Sequence, residues 1–366
     1  MVVLPDGFDL EALLAPIAGE KAAGGDLRQD FSPQSIYYRL RDARAEARAA
    51  ERAAESDPDA EAAPPTQWRS VRELALKALT EHAKDLEIAA WLTESLLRSD
   101  GLAGLTAGSA LMGGLVQRYW ADGLYPEADE EGLLTRVAPV TGLNGEGGDG
   151  TLTQPLRKLT LFPRRDGTPL AYWQYQQAME VQGIGDTARR QARIAAGVIP
   201  LEELEQDARA AGAAHFAALR EASRSAAEAW RALADAFDVA AGADGPPTGQ
   251  IRDLLEQIGG VIARYAPPET KAAEAAPETA ASAGAEAAVA AAPSETREGM
   301  LAELDRIAAF FRRTEPHSPL AYTLEEAARR GRLTWPDLLA ELVPDTNTRT
   351  AILNSLGIKA PAEQTK

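Results

Sequence analysis

The run Gly145-Glu146-Gly147-Gly148-Asp149-Gly150 satisfies the spacing G-x-G-x-x-G, with which glycine amides cradle a pyrophosphate. That chemistry needs a strand before the loop and a helix N-terminus after it, with amides aimed at the phosphates. Here Pro139 precedes, Pro155 follows, and Glu146 and Asp149 would face the anion, so the run reads as a flexible loop; a nucleotide-binding enzyme is the alternative. His82, His215 and His317 lie far apart and none has an H-E-x-x-H partner, so no metal site is expected. His82 is expected on a helix face beside Lys84 and Asp85, and His215 on the exposed side of the helix that carries Phe216. The acids Asp129-Glu130-Glu131 suit a solvated loop or a first helical turn better than a paired-carboxylate site. No Gly-x-Ser-x-Gly elbow exists, and the absence of cysteine excludes thiol nucleophiles and thiolate metal sites. No catalytic, cofactor or metal residue is nominated.

Charge narrows the partners. A formal net charge of −17 would repel a phosphate backbone, so nucleic acid is not expected as a ligand. All of that excess lies in residues 1–295, because Thr296 to Lys366 carries ten Lys plus Arg against ten Asp plus Glu. Arg312, Arg313, Arg329, Arg330 and Arg332 form the one basic concentration of that neutral segment; they read as solvated helix ends or as a surface for an acidic partner. Acids stand at Asp6, Asp9 and Glu11 where a signal peptide needs positive charge, and no stretch approaches a membrane span, so a soluble cytoplasmic chain without membrane insertion is expected.

The elements that must position any site are helical. Apolar residues recur with a helical period over Gln67 to Arg98, read as one long helix that Gly101 stops, and again from Leu105 to Trp120. Pro33 to Glu55 forms another helix before the proline-rich loop at Asp57 to Pro65. Leu152 to Tyr175, with Pro155, Pro163 and Pro169 and an Asp166-Gly167 turn, fits a small β-hairpin or an extended excursion. Ala213–Ala241 and Ile251–Tyr265 repeat an amphipathic pattern on either side of Pro246-Pro247, as in an antiparallel helical hairpin. Trp91, Trp120 and Trp230 fall in the apolar stripes and read as core.

The expected class is therefore all-α and multi-domain: an N-terminal helical domain over 1–185, a middle helical region over 186–265, a linker over 266–295 and a C-terminal module over 296–366. The linker holds 14 Ala, 5 Glu and 4 Pro with a single larger aliphatic residue, so it has almost nothing to bury. Four short helices are expected after it, with Thr334 and Asp337 resembling a capping box and the last helix running from about Thr346 to Gly357. A core of Leu301, Leu304, Ile307, Phe311, Leu324, Leu338, Leu342, Ile352 and Leu356 would be marginal alone, so association with copies of itself is expected. The tract Phe310-Phe311-Arg312-Arg313-Thr314-Glu315-Pro316-His317-Ser318-Pro319-Leu320 forms the corner between its first two helices, and Trp335 stands at a helix start where an interface would expose it.

The order of several motifs resembles the TssA (ImpA-related) family of type VI secretion system proteins. The N-terminal motifs are Pro16-Ile17-Ala18-Gly19-Glu20, Gly24-Gly25-Asp26-Leu27-Arg28, Lys84-Asp85-Leu86 with Trp91, and Tyr119-Trp120 before Tyr125-Pro126. At the other end stand Phe310-Phe311, Glu315-Pro316-His317-Ser318-Pro319 and Asp337-Leu338-Leu339. The resemblance implies a non-enzymatic assembly factor without a cofactor, whose terminal domain forms a homo-oligomeric ring and whose N-terminal regions contact baseplate, tube and sheath components. It nominates Phe310, Phe311, Glu315, Pro316, His317, Ser318, Pro319, Leu320, Trp335, Leu338 and Leu342 for the hub, and Lys84, Asp85, Leu86, Trp91 and Trp120 for the N-terminal domain. A generic adaptor of another assembly is a further alternative.

Overall fold

A computed structural model describes residues 5, 7–55, 66–130, 132–268, 297–314, 319–343, 345 and 349. Glu315 to Ser318, most of the linker and nearly all of the expected fourth C-terminal helix lie outside the described residues, as do the side chains of Phe310, Leu320, Trp335 and Leu342. The chain divides into two compact units, Met1–Ala272 and Ala273–Lys366. The described part is mostly α-helical with one two-stranded antiparallel hairpin, an all-α architecture with the small hairpin near 152–175.

In the first unit, α1 (Leu10–Leu14) is capped by Asp9, and α2 (Ile36–Glu55) packs on α3 (Gln67–Glu81). The helix does not run on from Gln67 to Arg98. It ends at His82, and α4 (Leu86–Tyr119) begins three residues later, because Asp85 turns its carboxylate onto the amides of Glu87 and Ile88 and caps a new helix. The helical period spans the break, so the pattern alone conceals it.

Gly101 interrupts α4 with φ 58° and ψ −133°, and the two halves fold back on each other. An added Cβ at Gly104 would lie 2.0 Å from the Leu96 carbonyl oxygen, and one at Gly108 would lie 2.3 Å from the Thr93 hydroxyl oxygen. Glycines four apart thus let two helices meet at backbone distance. Most of the second half is buried, and α10 (Ala213–Ala241) lies against α4.

Between them come α5 (Leu134–Asn144), α6 (Thr153–Arg157), the strands β1 (Thr160–Pro163) and β2 (Pro169–Ala171), α7 (Tyr172–Gln182), α8 (Thr187–Ala195) and α9 (Leu201–Ala211). The hairpin pairs Phe162 with Leu170 and turns at Gly167, whose φ is 85°. Phe162 meets Phe216 and Tyr265, so the hairpin is anchored on α10 and on α11 (Gly249–Tyr265). Helices α10 and α11 pack together, with the Trp230 indole donating to the Thr248 carbonyl at 2.9 Å. Residues 186–265 thus supply α8 to α11 of the same compact unit that holds the N-terminal helices.

The second unit contains α12 (Arg297–Thr314), α13 (Pro319–Arg332) and α14 (Trp335–Leu342). Helices α12 and α13 are antiparallel, since Leu301 lies against Gly331 while Arg312 meets Glu325. The core differs from the expected one. Ala308, Ala321, Ala328 and Leu339 are buried, whereas Leu301, Leu304, Phe311, Leu324 and Leu338 are half-buried and Ile307 is exposed. Three of the four buried residues, Ala308, Ala321 and Ala328, stand on α12 and α13, which pack together.

Gly104→Ala is expected to destabilise the first unit by about 2–4 kcal/mol, because backbone must move to admit the methyl. Gly142→Ala, where an added Cβ meets nothing within 4 Å, is expected to be neutral or stabilising by about 0.5–1 kcal/mol. Urea denaturation of the full chain followed by tryptophan fluorescence checks both. Equal midpoints for the two variants would contradict the close approach.

Candidate functional site

The N-terminal motifs converge where α3 gives way to α4. Residues 83–85 run extended between two other segments: the Lys84 amide donates to the Ala23 carbonyl at 2.8 Å, the Tyr125 amide donates to the Lys84 carbonyl at 3.0 Å, and the Leu86 amide donates to the Tyr125 carbonyl at 2.7 Å. Gly24 crosses so close to the His82 carbonyl that an added Cβ would lie 2.0 Å from that oxygen, and its φ of 77° suits glycine. The motifs around Gly24, Lys84 and Tyr125 are thereby one backbone junction.

Lys84 and Asp85 are both fully buried and play opposite parts. The Lys84 ammonium donates to the Leu13 and Leu79 carbonyls, each at 2.7 Å, tying the end of α1 to the end of α3. No ion pair involves it among the described residues, and burial lowers its pKa from 10.5 to about 8. The Asp85 carboxylate caps α4 and also accepts from Arg28 at 2.7 Å. Arg28 continues to Glu87 at 2.6 Å, and the Tyr37 hydroxyl donates to the same Glu87 oxygen at 3.0 Å. Burial opposes the Arg28 charge, but Asp85 and Glu87 outweigh it and hold the guanidinium pKa above its ordinary value. Burial, then the Glu87 charge, pushes the Tyr37 phenol up to about 12.

A second tier extends this network along α4. Arg44 makes a two-pronged contact with the buried Glu94 at 2.9 and 2.7 Å, while the Thr151 hydroxyl donates to Glu94 at 2.5 Å. Arg98 pairs with Glu51 at 2.9 Å and covers the Trp68 ring with 4.2 Å to its centroid. Trp91 sits between Tyr37, at 5.7 Å between ring centroids, and Arg44, at 5.4 Å from its own. Tyr37, Arg44 and Glu51 recur every seventh residue on α2, opposite Glu87, Trp91, Glu94 and Arg98 on α4. That double recurrence is the sequence signal of a polar seam between the two helices.

The structure therefore brings Lys84, Asp85, Leu86 and Trp91 into one neighbourhood and leaves Trp120 outside it. Trp120 instead packs edge-on against Phe237 of α10 and lies under Arg136. His82 is exposed at a helix end, away from the buried Lys84 and Asp85, because the break comes after it rather than beyond Asp85. His215 is half-buried and hydrogen-bonded to the Leu161 carbonyl at 2.7 Å, rather than pointing into solvent.

Chemically, this site is a clasp. Its carboxylates are paired with arginines, and its lysine is sealed against backbone carbonyls, so no nucleophile stands beside a free base. Among the described residues no group of three or more His, Cys, Asp or Glu side chains could hold a metal ion. The Gly145–Gly150 loop follows helix α5 instead of a strand and closes on itself: Gly145 would touch Gly148 and Gly150 if it bore a Cβ, and Asp149 pairs with Arg157 at 2.7 Å. No helix among the described residues is long and apolar enough to cross a membrane.

In the second unit four of the five clustered arginines meet acids of the same unit. Arg312 meets Glu325, Arg329 and Arg330 share Glu341 at 2.6 and 3.1 Å, and Arg332 pairs with Glu298 and Asp305 at 2.8 and 2.9 Å. These pairs link α12, α13 and α14 from helix ends that remain partly exposed. Thr334 caps α14 by accepting from the Asp337 amide, in line with the capping pattern.

Lys84→Met is expected to destabilise the full chain by about 2–4 kcal/mol, since two buried carbonyls lose their donor. The sign of its pH dependence follows from the lowered pKa. Between pH 8 and 10.5 the unfolded chain binds the Lys84 proton and the folded chain has released it, so the contribution of this group to stability rises with pH across that window. Denaturation curves of wild type and Lys84→Met at pH 7.5 and pH 10 should show the difference in stability widening in favour of wild type. A constant difference would contradict a buried, destabilised ammonium.

Comparison with known proteins places this junction in context. Residues 14–145, which include Arg28, Lys84, Asp85, Glu87 and the α2–α4 seam, match the model of the ImpA N-terminal family of the type VI secretion system. The chain is 30% identical over 361 residues to the type VI secretion system component TssA1 of Pseudomonas aeruginosa, covering 92% of this chain and 96% of that protein. Its structure is similar to the N-terminal domain, including the conserved ImpA_N region, of the TssA component from Burkholderia cenocepacia, with a TM-score of 0.57 at 26% identity over 72% of this chain and 97% of that one. Together with the motifs assembled at the Lys84–Asp85 junction, these similarities show that the chain belongs to the TssA family of type VI secretion system components.

Proposed function

We propose that this chain is a non-enzymatic, cytoplasmic scaffold of type VI secretion, which self-associates into a ring through its second unit and presents its first unit to baseplate, tube and sheath components. One observation carries the self-association. Among the described residues of the second unit the buried positions are mostly alanine, while Leu301, Leu304, Phe311, Leu324 and Leu338 are half-buried and Ile307 and Tyr322 are 37% and 61% exposed. Apolar side chains left at the rim of so small a core favour packing against a like surface. The unit carries no net charge over Thr296 to Lys366, so copies approach without electrostatic penalty, whereas the acidic first units repel one another and project outward.

In this reading the ring positions several first units at once, and its role is to help assemble the baseplate and prime tube and sheath polymerisation. The ionic clasp keeps each first unit rigid enough to present fixed surfaces. Nothing favours the nucleotide-binding alternative, since the glycine loop lacks the strand-to-helix setting that aims amides at phosphate. A generic adaptor of another assembly would share the same architecture, and co-purification with sheath or baseplate subunits separates it from this reading.

Light scattering coupled to size exclusion on the full chain is expected to give a multimer. Phe311→Asp and Leu338→Asp should each lower the mass towards that of a monomer, because an unpaired charge buried at the interface costs several kcal/mol. The tryptophan fluorescence of the first unit should be unchanged. An unaltered mass in both variants, or a monomeric wild type, would overturn the ring.

A further inference from the structure

Helix α8 differs from its neighbours in burying no side chain, although α7, α9, α10 and α11 around it each bury several. Nine residues are fewer than an isolated helix needs to be stable in water. Two local devices hold it: Asp186 caps it by accepting from the Ala188 and Arg189 amides at 2.8 and 3.2 Å, and the Arg190 guanidinium donates to the Ile184 carbonyl at 3.1 and 2.7 Å. Arg190 and Ile194, one turn apart, are its half-buried positions and mark the inner face.

The outer face is basic and smooth. Arg189 and Arg193, also one turn apart, are exposed and make no ion pair or hydrogen bond among the described residues. Nearby arginines are satisfied locally: Arg164 and Arg165 share Asp207, and Arg209 and Arg264 share Glu205. Ala188, Ala192 and Ala196 on the same helix are exposed as well, so a partner backbone can approach closely. In a chain with net charge −17, an unpaired basic stripe on an uncovered helix is a local inversion of sign.

We infer that the outer face of α8 is a docking surface for an acidic helix of a partner protein, whose Asp or Glu residues one turn apart meet Arg189 and Arg193. This deepens the reading of the first unit as the partner-contacting part and rests on it. The spacing selects a helix, because carboxylates at i and i+4 project at the same interval as the two arginines. The alanines select a close helix-to-helix approach, and the chain's net charge of −17 disfavours nucleic acid or an anionic membrane, which it would repel as a whole.

The test places a photo-crosslinking benzoylphenylalanine at Ala192 of the full chain in cells that assemble the secretion apparatus, with the same probe at the 90% exposed Val239 as control. The expected result is a crosslink at Ala192, absent at Val239, that maps to a partner peptide carrying acidic residues one turn apart. It should fall about tenfold or more in the Arg189→Glu/Arg193→Glu double variant. That variant should keep the wild-type melting temperature and oligomeric mass, since both side chains are exposed. Failure of the ring would change the mass and leave this crosslink, so the two proposals fail separately. No crosslink above the control, a crosslink within the chain itself, to nucleic acid, to lipid or to a segment without an acidic pair, or one that survives the charge reversal would overturn the assignment.

Discussion

A lysine ammonium buried against two backbone carbonyls, beside an aspartate buried against two amides and an arginine, is the constraint from which the first unit is built. The pair sits where a helical pattern would otherwise run unbroken. Asp85 starts a new helix just after α3 ends, and Lys84 ties the last turn of α3 to the last turn of α1 through the Leu79 and Leu13 carbonyls. Each charge has its own partners, Lys84 two carbonyls and Asp85 two amides with Arg28, so neither needs the other as a direct partner. The loop from Gly24 to Arg28 and the turn at Tyr125 then lie on either side of the same two residues.

From that junction, order spreads along α4 through side chains rather than through close backbone contact. The long arginines of α2 reach the carboxylates of α4, with Tyr37 and Trp91 filling the space between the paired groups. The second half of α4 turns back at Gly101, fits against the first half through Gly104 and Gly108, and offers its other side to α10. An ionic seam on one side and a glycine-lined contact on the other make α4 the central element of the unit.

Much of this architecture was legible in the sequence, and the omissions have physical causes. Helical recurrence reported α2, α10 and α11, and the spaced prolines with Asp166-Gly167 marked the hairpin. The same recurrence joined α3 to α4, since the apolar positions remain in phase across a three-residue break that only the capping role of Asp85 discloses. Trp91 and Trp120 belonged to the same ordered motifs yet occupy different surroundings, because a motif's order along the chain says nothing about the fold-back at Gly101. In the second unit, larger side chains drew the expected core, whereas the close contact of α12 and α13 selects Ala308, Ala321 and Ala328. The arginines there were legible as a cluster; their pairing with acids on other helices depends on tertiary geometry and was not.

The Lys84–Asp85 junction is the structural keystone of the first unit. Native-state hydrogen exchange on the full chain tests this most directly. The amides of Lys84, Leu86 and Tyr125, which bind the three crossing segments, should exchange only through global unfolding of the unit, with the slowest rates in the chain and the full dependence on denaturant. Exchange of these amides through local opening, while α10 and α11 stay protected, would show that the junction is peripheral and would contradict the account.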